Sequence, residues 1–426
     1  MTLLQVLEHE WLPIRAGGGQ SLSLQQAVLL EQLAASLPAK ALEWRRTAVK
    51  FTQFCGVIQL GELIIEVLPK IARHERDAQL CRQILVRLLQ LTGSLSPPSI
   101  GEASLGQQRH ALLDVFIEHF RGMIAQQMQL GLIRRYVPRQ DELSTVRGRI
   151  DLVRQVRLNA FTPQRVHCRF DEFDIDTPYN QVLRHVLGLL LRRTQHPGIK
   201  RGINELLIHL AAVSDRNFTS EAVEGLAFDR LNQRWQPVFQ RCGDFLRALH
   251  PNVTAGGMPA LALLFDMNRL FEGYVTWRMR RTFKDYHIQA QGPRRHLAVN
   301  EVGREVFQLR PDISVLHGTQ VVAIADAKWK ILNLKERKLG ISSADLYQLV
   351  SYAQRYQCQR LALIYPAMEG VSPGVRDKLS IQGTDVQLVV CSVDLAGVLT
   401  RRDAVFECLH GWLAEGWSDA VGAAVQ

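Results

Sequence analysis

The sequence predicts an α+β chain of more than one domain, with a β-rich N-terminal part, a helical middle region and a C-terminal α/β part on a central mixed sheet. Three observations lead there. At 426 residues the chain is longer than one core ordinarily organises. The segment His250 to Pro259, HPNVTAGGMP, is dense in turn formers, and the elements change character beyond it. Between Arg310 and Lys330, two apolar runs rich in β-branched residues, Ile313 to Leu316 and Val321 to Ala325, flank His317-Gly318-Thr319-Gln320, a strand–turn–strand signal. The division expected is 1–140 for the β-rich part, 141–256 for an arginine-rich hairpin and helical region, and 257–426 for the α/β part.

In order, Ser21 to Leu37 has helical periodicity after Gly17-Gly18-Gly19, and Val49 to Leu60 and Leu63 to Leu68 read as strands around the Gly61-Glu62 turn. Pro69 ends the second strand. Ala78 to Leu91 is helical, Thr92 to Gly106 is a loop rich in Ser, Pro and Gly, and Gln108 to Leu130 is a second helix. Thr177-Pro178 opens another helix with an N-cap and a first-turn proline. Helices follow at Ile203 to Val213 and Leu231 to Leu249. Past the break, a long helix from Ala260 to Phe283 precedes strands at Tyr286 to Ala290, Val306 to Leu316 and Val321 to Lys328. A helix at Ala344 to Arg355, strands at Leu361 to Tyr365 and Val386 to Val393, and a helix at Ala404 to Leu413 complete the order α-β-β-β-α-β-β-α.

Composition bounds the class. An apolar share of 47% and a charged share of 22% are those of a folded soluble chain. A net charge of +10 favours a polyanionic partner, most simply nucleic acid, although charge alone does not decide it. The seven cysteines are scattered and never in a Cys-x-x-Cys pair, which argues against a zinc site or a disulfide framework. The start, MTLLQVLEHEW, lacks a basic signal region, and the apolar stretch Val182 to Leu191 is too short for a bilayer and carries Arg184 and His185. A cytoplasmic protein without membrane contact is expected.

The chemistry concentrates at the strand pair. Asp312 opens its first strand, and Asp326 and Lys328 close its second, pointing the same way because side chains alternate. A hairpin brings Asp312 alongside them. Two carboxylates can hold a hard divalent cation, and the lysine can sit beside the oxygen being charged, the arrangement of metal-assisted hydrolysis. Asp-x-Lys alone is ordinarily a solvated strand end, but here the strand before Asp326 is apolar on both faces, as in a covered sheet. Glu272, among Leu270, Phe271 and Val275, either completes that shell or is an exposed helix charge. Gln348 shares a helix face with Tyr352, where an amide can orient Lys328 or contact a phosphate; otherwise it is a polar helix edge. From Arg134 to Arg169 the chain is dense in arginine, including Arg134, Arg135, Arg139, Arg147 and Arg149, either a phosphate grip or a solvated surface. The edges Leu132 to Val137 and Gly148 to Val153 read as a protruding hairpin around Pro138 to Arg147. P-loop and H-E-x-x-H motifs are absent, so this chain binds no nucleotide through a P-loop.

These residues resemble a known family. The order α-β-β-β-α-β with P-D…D-x-K resembles the PD-(D/E)xK nuclease fold. More narrowly, RPDIS, ADAKWK and DLYQLVSY are similar to the McrC subunit of McrBC-type restriction systems, which cut DNA carrying modified cytosine. GVIQLGELIIEVLPKI, VRGRID and FDEFDIDTPYNQVLRHVL extend the resemblance, which runs from about Val57 to Tyr365. It implies a Mg²⁺-dependent endonuclease subunit (Mn²⁺ can substitute) with Asp312 and Asp326 as metal ligands, Lys328 as the catalytic lysine, Glu272 as helix carboxylate and Gln348 as supporting amide. It also implies docking, through the N-terminal part, on a McrB-like GTP-hydrolysing AAA+ ring, whose hydrolysis it stimulates, and action on double-stranded DNA with a modified base such as 5-methylcytosine. The commonest pattern of that nuclease fold often has Glu where Asp326 stands; either carboxylate ligates Mg²⁺. Two other classes compete: a non-catalytic adaptor that activates the GTPase and positions DNA, and a repair or RNA-processing nuclease of the same fold.

Overall fold

A computed structural model describes residues 2–15, 19–71, 77–94, 111–158, 164–255, 257–367, 371–399 and 404–423. By contact the chain divides into two compact units, one built from Met1–Pro97 and Pro251–Gln426, the other from His110–His250. The architecture is mixed α/β with several mixed sheets, and the expected loop from Thr92 to Gly106 lies mostly outside the described residues.

The first unit begins with β1 (Thr2–Leu7), β2 (Trp11–Pro13), α1 (Leu24–Ala34), β3 (Leu42–Arg45), β4 (Ala48–Phe51), β5 (Phe54–Leu60), β6 (Leu63–Leu68) and α2 (Ala78–Leu91). The expected single strand from Val49 to Leu60 is two strands, and β1, β2 and β3 carried no signal that separated them from loops. β1 runs parallel to β6, and β5 pairs antiparallel with β6 across the Gly61-Glu62 turn.

The second unit holds α3 (Leu112–Gln129), β7 (Arg135–Leu143), β8 (Arg149–Ile150), α4 (Leu152–Leu158), β9 (Val166–Asp174), α5 (Pro178–Leu191), α6 (Pro197–His209), α7 (Ser220–Glu224) and α8 (Gln236–Arg247). Thr177 caps α5 and Pro178 takes its first turn, as the sequence requires. The expected hairpin is wired differently. β7 and β8 do not pair with each other; both pair with β9, which lies between them. Its sequence, VHCRFDEFD, alternates with charged residues and gives little apolar signal.

The chain then gives β10 (Leu249–Ala255), β11 (Met258–Asp266) and α9 (Met267–Thr282). The long helix expected from Ala260 is corrected here: MPALALLFD is a strand pairing antiparallel with β5, and the helix starts only after Asp266, whose carboxylate accepts from the Asn268 amide. A short apolar run does not distinguish strand from buried helix. Gly56 makes the pairing possible, since a Cβ there would meet the Leu263 carbonyl oxygen at 2.0 Å. β12 (His287–Ala290), β13 (Arg295–Val299), β14 (Glu305–Leu309), β15 (Ile313–His317), β16 (Gln320–Ala327), α10 (Ser343–Tyr356), β17 (Arg360–Pro366), β18 (Gly374–Ser380), β19 (Gln387–Val393) and α11 (Ala404–Ala423) follow. The strand expected over Val306 to Leu316 is β14 and β15, split by Arg310-Pro311-Asp312, and β13 and β18 are additions. A six-stranded sheet in the order β12-β15-β16-β17-β19-β18 results, antiparallel up to β16 and parallel from β16 through β17 to β19. Leu349, Tyr352 and Tyr356 of α10 pack with Ile324, Leu361, Leu363 and Val390 into one core over this sheet.

Candidate active site

The β15–β16 hairpin turns at Gly318, where a positive φ of 60° suits glycine. Its register pairs Ile313 with Ala325, so Asp312 and Asp326 fall on the next rung. β16 is buried from Ala323 onward because β15 and β17 flank it, and Asp326 is therefore only 2% exposed. Lys328 lies just past the strand; its amide donates to the Ile364 carbonyl at 2.9 Å and its Nζ stands 2.7 Å from Asp326 Oδ2. That oxygen, although next to the ammonium, has no well-directed hydrogen bond.

Glu272 joins this group from α9. Its Oε1 accepts from Gln291 Nε2, which also donates to Asp312 Oδ1 at 3.3 Å, so one amide ties two acids together. Asp312 Oδ2 accepts weakly from the Ala327 amide at 3.4 Å. Burial, then the negative charges of Asp326 and Glu272, raise the Asp312 pKa to about 7 against the opposing pull of Lys328. Burial and Asp326 likewise raise Glu272 against its hydrogen bond from Gln291. Burial acts to lower Lys328, but Asp326, Asp312 and Asp345 outweigh it and its pKa is raised. The lysine is thus held as a cation beside acids that repel one another.

Gln348 does not reach Lys328. It is exposed and donates to the Tyr352 hydroxyl at 3.0 Å, which in turn donates to the Arg310 carbonyl at 3.2 Å, so its part is to brace the segment leading into Asp312. Of the arginines, Arg135 pairs with Asp229 at 2.9 Å, Arg139 with Asp174, and Arg147 with Glu172 at 3.3 Å. Arg134 lies over the Phe173 ring at 5.9 Å, and Arg149 is exposed on β8. All five sit in the second unit.

The profile of the family described as "McrBC 5-methylcytosine restriction system component" matches residues 49–366, a span that holds the whole acidic group. The chain belongs to that family. No curated protein matches. Among solved structures, a chain of the tetradecameric assembly of Thermococcus gammatolerans McrB AAA+ hexamers with bound McrC superposes with a TM-score of 0.75 at 19% identity, covering 95% of this chain and 98% of that one. A chain of the Thermococcus gammatolerans McrBC complex matches with a TM-score of 0.53 at 19% identity over 67% of this chain and 89% of that one. At such identities the likeness is one of fold.

In this McrBC-family chain the donor set suits a divalent cation. Hard cations take oxygen ligands, and Asp312 and Asp326 offer carboxylates from opposite strands of one rung, with one buried oxygen of Asp326 short of a hydrogen bond. Among the described residues no three His, Cys, Asp or Glu side chains form a ready-made cage. That is compatible with Mg²⁺, which is commonly held by one or two carboxylates and keeps several waters.

Three contributors had no clear sequence signal. Gln291 lies between strands. Asp345, whose amide bonds the Ser342 cap, stands 3.9 Å from Lys328 and 3.1 Å from Lys330, and only its place in an N-capped first turn marks it. Trp329 Nε1 donates to both Glu8 oxygens, at 3.1 and 2.9 Å, while its ring packs 5.5 Å from Phe271. It clamps the segment after Lys328 between β1's end and the helix that carries Glu272. Glu8 also accepts from the Lys70 amide at 3.0 Å, and burial raises its pKa to about 8 despite these bonds.

Proposed function

We propose that this chain is the Mg²⁺-dependent endonuclease subunit of a modification-dependent restriction complex, hydrolysing DNA phosphodiesters in a PD-(D/E)xK-type domain. The observation that carries the reading is the half-buried Asp312 and the buried Asp326 facing each other on one rung, with the Lys328 ammonium 2.7 Å from Asp326. A buried excess of acid destabilises a fold unless it serves binding or chemistry. Asp312 and Asp326, with Glu272 at the rim, would hold a divalent cation, which would supply water activation and charge neutralisation. Lys328, kept protonated by its acidic neighbours, sits where charge develops on the phosphoryl oxygens and stabilises it electrostatically. Gln291 and Gln348 fix the carboxylates and the Arg310–Asp312 segment in place.

The partner proposed is a McrB-like GTP-hydrolysing AAA+ ring, with DNA bearing modified cytosine as substrate. The likeness to a chain of McrB hexamers with bound McrC supports it, as does the lack of a P-loop in this sequence. Docking would use the N-terminal part and the arginine-rich sheet. The test is cleavage of methylated duplex by the purified chain reconstituted with such a ring, GTP and Mg²⁺. Cleavage is expected with the native chain and absent with Asp326→Ala, while the chain alone releases no phosphate from GTP. Full cleavage by Asp326→Ala would overturn the assignment and leave the adaptor role as the better reading.

A further inference from the structure

The β13–β14 hairpin plays no part in the chemistry described above, yet it is built in an unusual way. Its root is fastened to α10: Arg355 Nε donates to the His296 carbonyl at 2.7 Å, an Arg295 guanidinium nitrogen donates to the Arg355 carbonyl at 3.0 Å, and Tyr356 OH donates to the Leu309 carbonyl at 3.3 Å. Its free half presents Leu297, Val299, Val302 and Phe307 to solvent, with Val302 80% and Phe307 73% exposed. Four outward apolar side chains on one two-stranded ribbon form the kind of patch that marks an interaction surface. Phe307 adds a second oddity. Its φ of +56° is the left-handed conformation that favours glycine, and a bulky side chain there is strained. Stability alone would select a small polar residue at this position.

What covers the patch is indicated by its charge and its place. Arg294, Arg304 and Arg310 are exposed along the ribbon and at its root, whereas of its two acids Glu305 is already engaged by His296 at 2.8 Å. From Phe307 the chain reaches Asp312 in five residues, through Arg310. A two-stranded ribbon fits the major groove of B-DNA, guanidinium groups bond phosphates, and apolar side chains pack on bases and sugars. We propose that the β13–β14 hairpin is a DNA-gripping arm that lays Phe307 and Val302 in a groove and Arg304 on the backbone beside the cleavage site. The proposal rests on the nuclease reading for the identity of its ligand. A second copy of the chain would meet the apolar side chains but leave the arginines facing one another, which disfavours it.

Binding is measured with the full chain, a fluorescein-labelled duplex and EDTA in place of Mg²⁺, by anisotropy across a range of salt. Phe307→Gly suits the backbone, so its melting temperature should equal or exceed that of the native chain, while its affinity for duplex falls about five- to tenfold, the scale of losing one aromatic contact to nucleic acid. Arg304→Ala should weaken binding and lower the salt slope by about one. Unchanged affinity and slope in both variants would overturn the arm, as would a native chain that does not bind duplex. So would a Phe307→Gly variant that alters only sedimentation of the free chain, which would assign the patch to self-association. Because no cleavage occurs in EDTA, the two readings fail separately. Arm-dependent binding by a chain that never cuts with Mg²⁺ defeats the nuclease, and a cutting chain indifferent to both variants defeats the arm alone.

Discussion

Two regions of this molecule are dense in charge, and they handle it in opposite ways. At the end of β16, Asp326 is 2% exposed, Asp312 and Glu272 crowd it, and Lys328 faces Asp326 and Asp312. On the β7-β9-β8 sheet, arginines are exposed and matched to acids, Arg139 to Asp174 and Arg147 to Glu172. Exposed pairs of that kind contribute about 0–1 kcal/mol each and cost little to form. A buried cluster of unequal charge costs stability, and the cost persists only where something else requires the cluster. In the sequence the arginine stretch is the more conspicuous of the two. In the fold the acidic group is the one that physical chemistry cannot explain as ordinary surface.

The largest difference between the regions should appear in activity. Asp312→Ala, Asp326→Ala and Lys328→Ala are each expected to lower cleavage by at least about a hundredfold. The Asp312→Ala, Asp326→Ala double variant should be little worse than either single one, because residues that act as a unit are not additive. Additive losses on initial rates would show that the acids do not act together. The cost of crowding can be read next, from stability. Asp312 holds its proton to about pH 7 when folded but releases it near 4 when unfolded. The folded chain therefore binds the extra proton between those values, and stability falls as pH rises through that window. In EDTA at pH 8, Asp312→Asn should be more stable than the native chain by on the order of 1–3 kcal/mol, with a flatter denaturant midpoint between pH 4 and 7. A variant less stable than the native chain at pH 8 would show that the acids are not in conflict.

The hairpin that makes this site was legible because its signal is local. Two apolar runs around a glycine fix the register, and the register fixes where Asp312, Asp326 and Lys328 stand. α2 was legible for the same reason, as was α5 with its threonine cap and first-turn proline. β11 was not, because MPALALLFD is as apolar as a buried helix and only its distant partner β5 makes it a strand. β9 and β13 were not, because their alternation sets charges or exposed apolar residues where a sheet normally sets a core. Gln291 and the Glu8–Trp329 clamp were beyond reach for another reason: Glu8 and Trp329 are 321 residues apart, and no pattern in one stretch announces the other.

That clamp gives a third, smaller test, within the acidic region but away from its reacting groups. Glu8 is fully buried, and its folded pKa of about 8 exceeds the ordinary carboxylate value. Its stabilising contribution is thus present below about pH 4.5 and is lost as pH rises toward 8. Glu8→Gln, which keeps an acceptor for the Trp329 indole, should remove part of this pH dependence in chemical denaturation. Trp329→Phe leaves the carboxyl without its two indole contacts and should cost about 1–3 kcal/mol. A Glu8→Gln variant with the native pH profile would show that the carboxyl does not titrate in this range.

The smallest effect on stability is expected on the arginine sheet, where the readout must be function. Arg147→Ala, Arg149→Ala removes one exposed ion pair, to Glu172, and a guanidinium exposed on β8, so stability should change by no more than about 0.5 kcal/mol. The same arginines suit either the proposed ring partner or a DNA path, and the two respond differently. A DNA path predicts weaker duplex binding and a salt slope lowered by about one for each lost phosphate contact. A partner surface predicts unchanged DNA affinity and reduced stimulation of the ring's GTPase. The pairing seen here favours the partner. Arg139 and Arg147 are already neutralised by acids on the neighbouring strand, which blunts a phosphate grip, while the rings of Tyr136 and Phe173 meet in the open, tilted, at 4.9 Å and give the sheet an apolar face that a protein can cover. The expected result is therefore a loss of GTPase stimulation with DNA affinity intact. Intact stimulation together with a shallower salt slope would move this sheet onto the DNA and erase the contrast between the two charged regions.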